Sequence, residues 1–175
     1  MSHTPGVTGL DDDEPRSDAD TDAIDAIELL HADHDEVLLM FEDYESLLSE
    51  EATDDERARL ARRICTALSV HAAIEEEILY PVAGELLDDQ RLVEVALSEH
   101  ANADELIGEL RSMSIDEPLF DEKVAALSVV IQRHIDAEEE DLLPLLSQQG
   151  ADLQNLGERM AERKLELLDE QAQEE

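Results

Sequence analysis

Two stretches of this chain read almost alike. One runs from His71 through Glu75, Glu76 and Glu77 to Pro81; the other runs from His134 through Glu138, Glu139 and Glu140 to Pro144. Each has a His, a Glu four residues later, two more Glu, and a Pro ten residues after the His. Each is preceded by a segment with an imidazole in the apolar register at a similar distance, His34 before the first and His100 before the second. A chain built as two such units must place a polar pair on an apolar seam twice over. That leaves few ways to fold.

The seams are helical. Ile24, Ile27, His31, His34, Leu38, Phe41 and Leu48 follow steps of three and four, with a gap at Glu45, and Thr21 or Asp22 is positioned to cap the start. Thr53 with Glu56 three residues on reads as a capping box. It opens a second helix with Leu60, Ile64, Ala67, His71, Ile74, Glu75, Ile78 and Val82 inward. A third spans about Asp89 to Met113, with Val93, Leu97, His100, Ala103 and Ile107 inward. After a break over 114–118, a fourth carries Phe120, Val124, Leu127, Ile131, His134, Glu138, Leu142 and Leu145, and Gly150 ends it. Pro81 and Pro144 are expected to kink or end their helices. A fifth helix covers Asp152 to about Leu168, with Leu153, Leu156, Met160 and Leu167 as its stripe.

Four long helices with short connections predict an all-α fold, an up-down-up-down antiparallel four-helix bundle with an extra C-terminal helix. The expected division is an acidic, disordered tail over 1–21, the bundle over 22–148, and a C-terminal helix with acidic tail over 149–175. The fifth helix docks on the bundle or serves in association, so a homo-oligomer stays open. Aromatic residues make up 2% of the chain and Trp is absent, so the core must be aliphatic.

Charge narrows the partners. Twelve Lys and Arg stand against 48 Asp and Glu, for a net charge of −36. Such a chain does not suit nucleic acid, whose phosphates need cations, or an anionic membrane surface. The acids are spread along the chain rather than gathered in one block. This favours adaptation to a salt-rich cytoplasm over a calcium buffer or an acidic interaction tail. The single Cys65 excludes an intramolecular disulfide and reads as a buried apolar side chain. No secretory signal or membrane-spanning run is visible, so a cytoplasmic location is expected.

Residues at i and i+4 share a helix face, so His71 with Glu75, and His134 with Glu138, point to one spot. Antiparallel packing can bring these pairs level with His34 and His100. Four imidazoles and two carboxylates in an apolar interior are costly without a cation. Mixed imidazole and carboxylate ligation suits iron, manganese or zinc, and disfavours calcium. The bland alternative makes each imidazole a satisfied core histidine in a metal-free structural bundle that associates through helix five.

The repeated His-x3-Glu motifs, with the imidazoles ahead of them, resemble the hemerythrin HHE cation-binding domain over about Ile24 to Ser147. The tract after Gly150, with Lys164, resembles the helix that often follows such domains. The resemblance implies a left-handed bundle holding two non-haem irons, oxo- or hydroxo-bridged, with Glu75 and Glu138 as bridging carboxylates. It implies His34, His71, Glu75, His100, His134 and Glu138 as the metal ligands. The ferritin-like pattern, Glu-x-x-His with unpaired Glu, fits less well.

Oxygen-carrying hemerythrins have a fifth His where this chain has Asp104. That turns expectation from reversible carriage towards binding or sensing of dioxygen, nitric oxide or iron. A di-iron redox enzyme is the alternative, handling peroxide or nitric oxide, oxidising ferrous iron, or donating iron in cluster repair. Asp104 is either a carboxylate ligand or, the favoured reading, a solvated flank. His31 is either an extra ligand or a group that hydrogen-bonds within the core or to the residues around the site. Tyr80 reads as ordinary packing, although it is near enough to reach the site edge. Glu76, Glu77, Glu139 and Glu140 read as solvated faces.

Overall fold

The computed structural model describes residues 24–174. The tail over 1–21, His3 and the proposed caps Thr21 and Asp22 lie outside the described residues.

Among the described residues five helices follow in order. Helix α1 is Ala26–Ser49. The Asp25 carboxylate accepts from the N–H groups of Ile27 and Glu28, and the Glu28 side chain accepts from the Asp25 N–H. Asp25 is therefore the cap, because it alone among these candidates has a Glu three positions on. Helix α2 spans 54–86 and opens with the expected Thr53–Glu56 box. Helix α3 is Arg91–Ser112, α4 spans 120–148, and α5 is Leu153–Glu174, longer than its apolar stripe suggests. Gly150 turns the chain between α4 and α5 with φ of 78°. No strand occurs among the described residues, and no described helix is long and apolar enough to cross a membrane.

Helices α1 to α4 pack in a ring, each against the next and α4 against α1, while α5 lies on α1 and α2. This is the four-helix bundle with an added C-terminal helix. Two apolar clusters fill it. One holds Val37, Phe41, Ile64, Leu68, Leu127 and Ile131; the other holds Leu30, Ile74, Leu79, Leu142, Leu146 and Met160. Burying each such side chain contributes about 1.5–3 kcal/mol. His34 falls between Leu30 and Val37 along α1, and His71 between Leu68 and Ile74 along α2, so the polar residues form a band between the clusters.

Some inward assignments move. Ile24 is 56% exposed, and Leu48 and Leu97 also face solvent. The buried positions beside them are Ala26, Tyr44 and Ala96. Where helices approach closely, alanine fills the seam and the neighbouring Leu or Ile turns out. Cys65 is buried, as its surroundings imply.

The prolines do not end their helices. In both α2 and α4 a π-helical turn precedes the proline, Glu75–Leu79 and Glu138–Leu142. The Tyr80 N–H donates to the Glu75 carbonyl, and the Leu143 N–H to the Glu138 carbonyl, closing wider rings than the α-helix does. A proline presses on the carbonyl four residues back and offers it no donor. The widened turn absorbs that conflict, and α-helix resumes through Leu86 and Gln148. The π turns also re-aim the side chains that follow, which matters at the centre of the bundle.

Candidate metal centre

Helix α1 supplies His34, α2 supplies His71 and Glu75, α3 supplies His100, and α4 supplies His134 and Glu138. All six are buried. Their ligand atoms gather into two groups. His34, His71, Glu75 and Glu138 form the first; Glu75, His100 and His134 form the second. Within each group the atoms lie within 4.8 Å of one another. Glu75 belongs to both. Its Oε1 is 3.1 Å from His71 Nε2, and its Oε2 is 3.0 Å from His100 Nε2. Glu138 Oε2 lies 3.6 Å from His34 Nε2 and 3.7 Å from His134 Nε2.

Each imidazole turns Nε2 to the centre and Nδ1 to a carboxylate outside it. His34 Nδ1 donates to Glu139 and His100 Nδ1 to Glu76, both at 2.8 Å. His71 Nδ1 is 3.5 Å from Asp33 and His134 Nδ1 is 3.5 Å from Glu99. Such outer carboxylates fix the ring orientation and raise the basicity of the inner nitrogen. The arrangement repeats between the hairpins. The acid just before the first-helix His serves the His of its own hairpin. The acid just after the second-helix Glu serves the other hairpin.

Glu76 and Glu139 are therefore orienting groups rather than plain solvated faces. Glu77 pairs with Arg163 at 2.7 Å. Asp33 and Glu99 are absent from the sequence reading. The available signal is that each sits next to a seam histidine, which on a helix starts it only about 100° away from the centre.

Tyr80 is a larger correction. It is buried, and its hydroxyl donates to Glu138 Oε1 at 2.9 Å. The same oxygen is 3.2 Å from both Glu75 Oε2 and His100 Nε2. In a regular α-helix Tyr80 would point about 140° away from Glu75. The π turn between them swings it onto the site. Its counterpart in α4 is Leu143, so the phenol has no equivalent in the other half.

His31 is 49% exposed and comes no closer than 3.9 Å to Glu139. It is neither a core group nor in the cluster. Asp104 is exposed, on the rim of a cavity of about 440 Å³ beside the site. All four site histidines line that cavity, with Glu76 and Ser69, and aliphatic side chains such as Val37, Leu68, Ile107 and Ile131 make up most of the remainder.

The electrostatics follow from two carboxylates in one buried spot. Burial and the Glu75 charge push the Glu138 carboxyl above its ordinary range. Burial also acts upward on Glu75, but the His71 charge and contacts from His100 and His134 hold it well below that range. Burial disfavours the charged form of His71, yet Glu75 and Asp33 outweigh it and raise its pKa to about 10. His100 is raised for the same reason, with Glu75 and Glu76 outweighing burial. Tyr80 is pushed far up by burial and by both carboxylates, so its proton stays on oxygen.

The donor set fits metal ions. His34 Nε2, His71 Nε2, Glu75 Oε1 and Glu138 Oε2 are buried with no hydrogen-bond partner, and all four converge in the first group. Buried polar atoms are rarely left so, and four aimed at one spot call for a cation. Imidazole nitrogens with carboxylate oxygens suit a first-row transition metal.

A family model of the hemerythrin HHE cation binding domain matches residues 25–146. Among solved structures, a hemerythrin HHE cation binding domain-containing protein from Mycobacterium kansasii superposes with a TM-score of 0.68 at 26% identity. The match covers 82% of this chain and 87% of that one. No curated protein sequence matches significantly. With the repeated motif, the bundle and the paired ligand groups in place, the chain belongs to the hemerythrin HHE cation-binding domain family.

Proposed function

We propose that this protein is a non-haem di-iron protein that binds or senses a small neutral molecule such as dioxygen or nitric oxide. The observation that carries the reading is the convergence of four partnerless buried atoms from His34, His71, Glu75 and Glu138 beside the second group of Glu75, His100 and His134. In this reading Glu75 reaches both metal positions, Glu138 joins His34 and His71 at the first, and His100 and His134 complete the second. Two irons held there would supply one-electron redox chemistry and Lewis acidity towards a small ligand.

The protein's own residues do the rest. Asp33, Glu76, Glu99 and Glu139 orient the imidazoles. The two apolar clusters exclude water. The cavity beside the histidines offers room lined mostly by aliphatic side chains, suited to a small uncharged ligand. With Asp104 exposed, the fifth imidazole of an oxygen carrier has no equivalent, which supports sensing or redox handling over carriage.

A second reading rests on Tyr80. A protonated phenol 3.2 Å from His100 Nε2 holds a proton beside the second group. A redox enzyme acting on peroxide needs a proton at that place.

The test is to purify the protein without a histidine tag, in molar salt, and measure bound metal with the visible spectrum before and after azide. About two irons per chain with charge-transfer bands that shift on azide is the expected result. No iron, or a single zinc, would remove the di-iron reading.

A further inference from the structure

Helix α5 lies outside the stretch matched by the family model, yet it packs on α1 and α2, and its Lys164 and Leu168 line a small cavity shared with His71 and Asp33. Its first turn is pressed against the start of α1. A Cβ on Gly157 would sit 2.4 Å from the Ile24 carbonyl oxygen and 2.6 Å from the Asp25 carbonyl carbon, so only glycine permits the approach. Leu156 and Met160 are buried below it. One turn further on, Lys164 Nζ donates to Asp33 Oδ1. The other oxygen of Asp33 is the one facing His71 Nδ1.

Asp33 is shielded, with its side chain 10% exposed, so it needs a counter-charge. The other orienting carboxylates are served differently. Glu76 and Glu139 reach solvent. Glu99 is met by Arg133 at 3.0 Å, from the residue next to His134 itself. His71 is thus the one site histidine whose orienting acid takes its cation from α5.

We propose that Lys164 is a positioning residue of the metal centre. By neutralising and pinning Asp33 it fixes the His71 ring with Nε2 towards Glu75, and so α5 governs the first metal position and not the second. This rests on the metal-binding reading above.

The test uses the full chain loaded with cobalt(II), with release into excess EDTA followed by absorbance. Lys164→Met is expected to speed the loss of one cobalt about tenfold, the lower end for groups that orient a metal ligand, with the other unchanged. Lys164→Arg, which keeps the cation, should release cobalt like the unmodified protein. Arg163→Met breaks the neighbouring exposed contact of α5 with Glu77 and should leave both rates alone. If Lys164→Met folds poorly, Asp33→Asn removes the charge that Lys164 neutralises and must speed the same cobalt.

Unchanged release in a folded Lys164→Met or Asp33→Asn protein overturns the inference. An equal effect from Arg163→Met also overturns it, because α5 would then act by docking alone. Failure of the unmodified protein to bind cobalt removes the metal-binding reading and this inference together. Binding of two cobalts with no effect at Lys164 removes only this inference.

Discussion

The two hairpins of the bundle match at the centre and differ around it. Each gives two imidazoles and one carboxylate, each carboxylate starts a π turn, and each imidazole has an outer acid in the equivalent place. Behind that symmetry, α2 presents Tyr80 where α4 presents Leu143. Asp33 is neutralised from α5 by Lys164, whereas Glu99 is neutralised from within α4 by Arg133. The shared ligand set is what the proposed pair of cations would use in both halves. The unshared surroundings make the two ligand groups unequal.

The sharpest break in the comparison is at Glu75, which belongs to both groups. Glu75→Ala should reduce bound metal from about two per chain to near none, measured after gel filtration. Glu138→Ala, which acts mainly on the first group, should leave about one. Equal losses from the two variants would show that the carboxylates are interchangeable.

Next in size is Tyr80→Phe. It keeps the ring but removes the proton donor that only α2 provides. Metal content should hold, while peroxide turnover, if the redox reading is right, should fall about 10²-fold. Leu143→Ala in the equivalent place should leave turnover nearly unchanged. Stopped-flow peroxide consumption separates the two.

The pH dependence tests His71 against its ordinary value of 6.5. Its pKa is raised to about 10 in the folded chain, so the protonated ring contributes stability to the metal-free fold. That contribution is fully present below about 6.5 and is lost as pH rises through about 10. Metal must displace that proton. Cobalt binding should therefore release protons and tighten as pH rises from 6.5 towards 9, read by titration in a dilute buffer with a pH dye. Binding that weakens over this range would contradict the assignment.

The smallest effects belong to the outer acids that reach solvent. Glu76→Gln and Glu139→Gln keep a hydrogen-bond acceptor for His100 and His34. Each should change cobalt release only a few-fold, less than Asp33→Asn. Equal effects from all three would erase the distinction between buried and exposed orienting acids.

Much of this was legible in the sequence, and the rest was hidden for physical reasons. The i, i+4 spacing of His71 with Glu75 and of His134 with Glu138 follows from regular helix geometry. So does the inward register of His34 and His100, and with it the bundle. Tyr80 reads as packing at the edge of the site, and not as a group at its centre, because the π turn breaks the regular helical period. Asp33 and Glu99 were missed because their carboxylates reach across to a neighbouring helix, so spacing within their own helix does not reveal them. Hydrophobicity ranks Ile24 and Leu97 above Ala26 and Ala96 as inward positions, while close helix approach selects the smaller side chain. In so acidic a chain, Glu76 and Glu139 carry no distinguishing mark until α1 and α3 are placed beside them.

The most direct measurement is a crystal structure of the iron-loaded protein with anomalous diffraction at the iron edge. Two anomalous peaks are predicted, one among His34, His71, Glu75 and Glu138, the other among Glu75, His100 and His134. A single peak, or peaks away from these residues, would contradict the account.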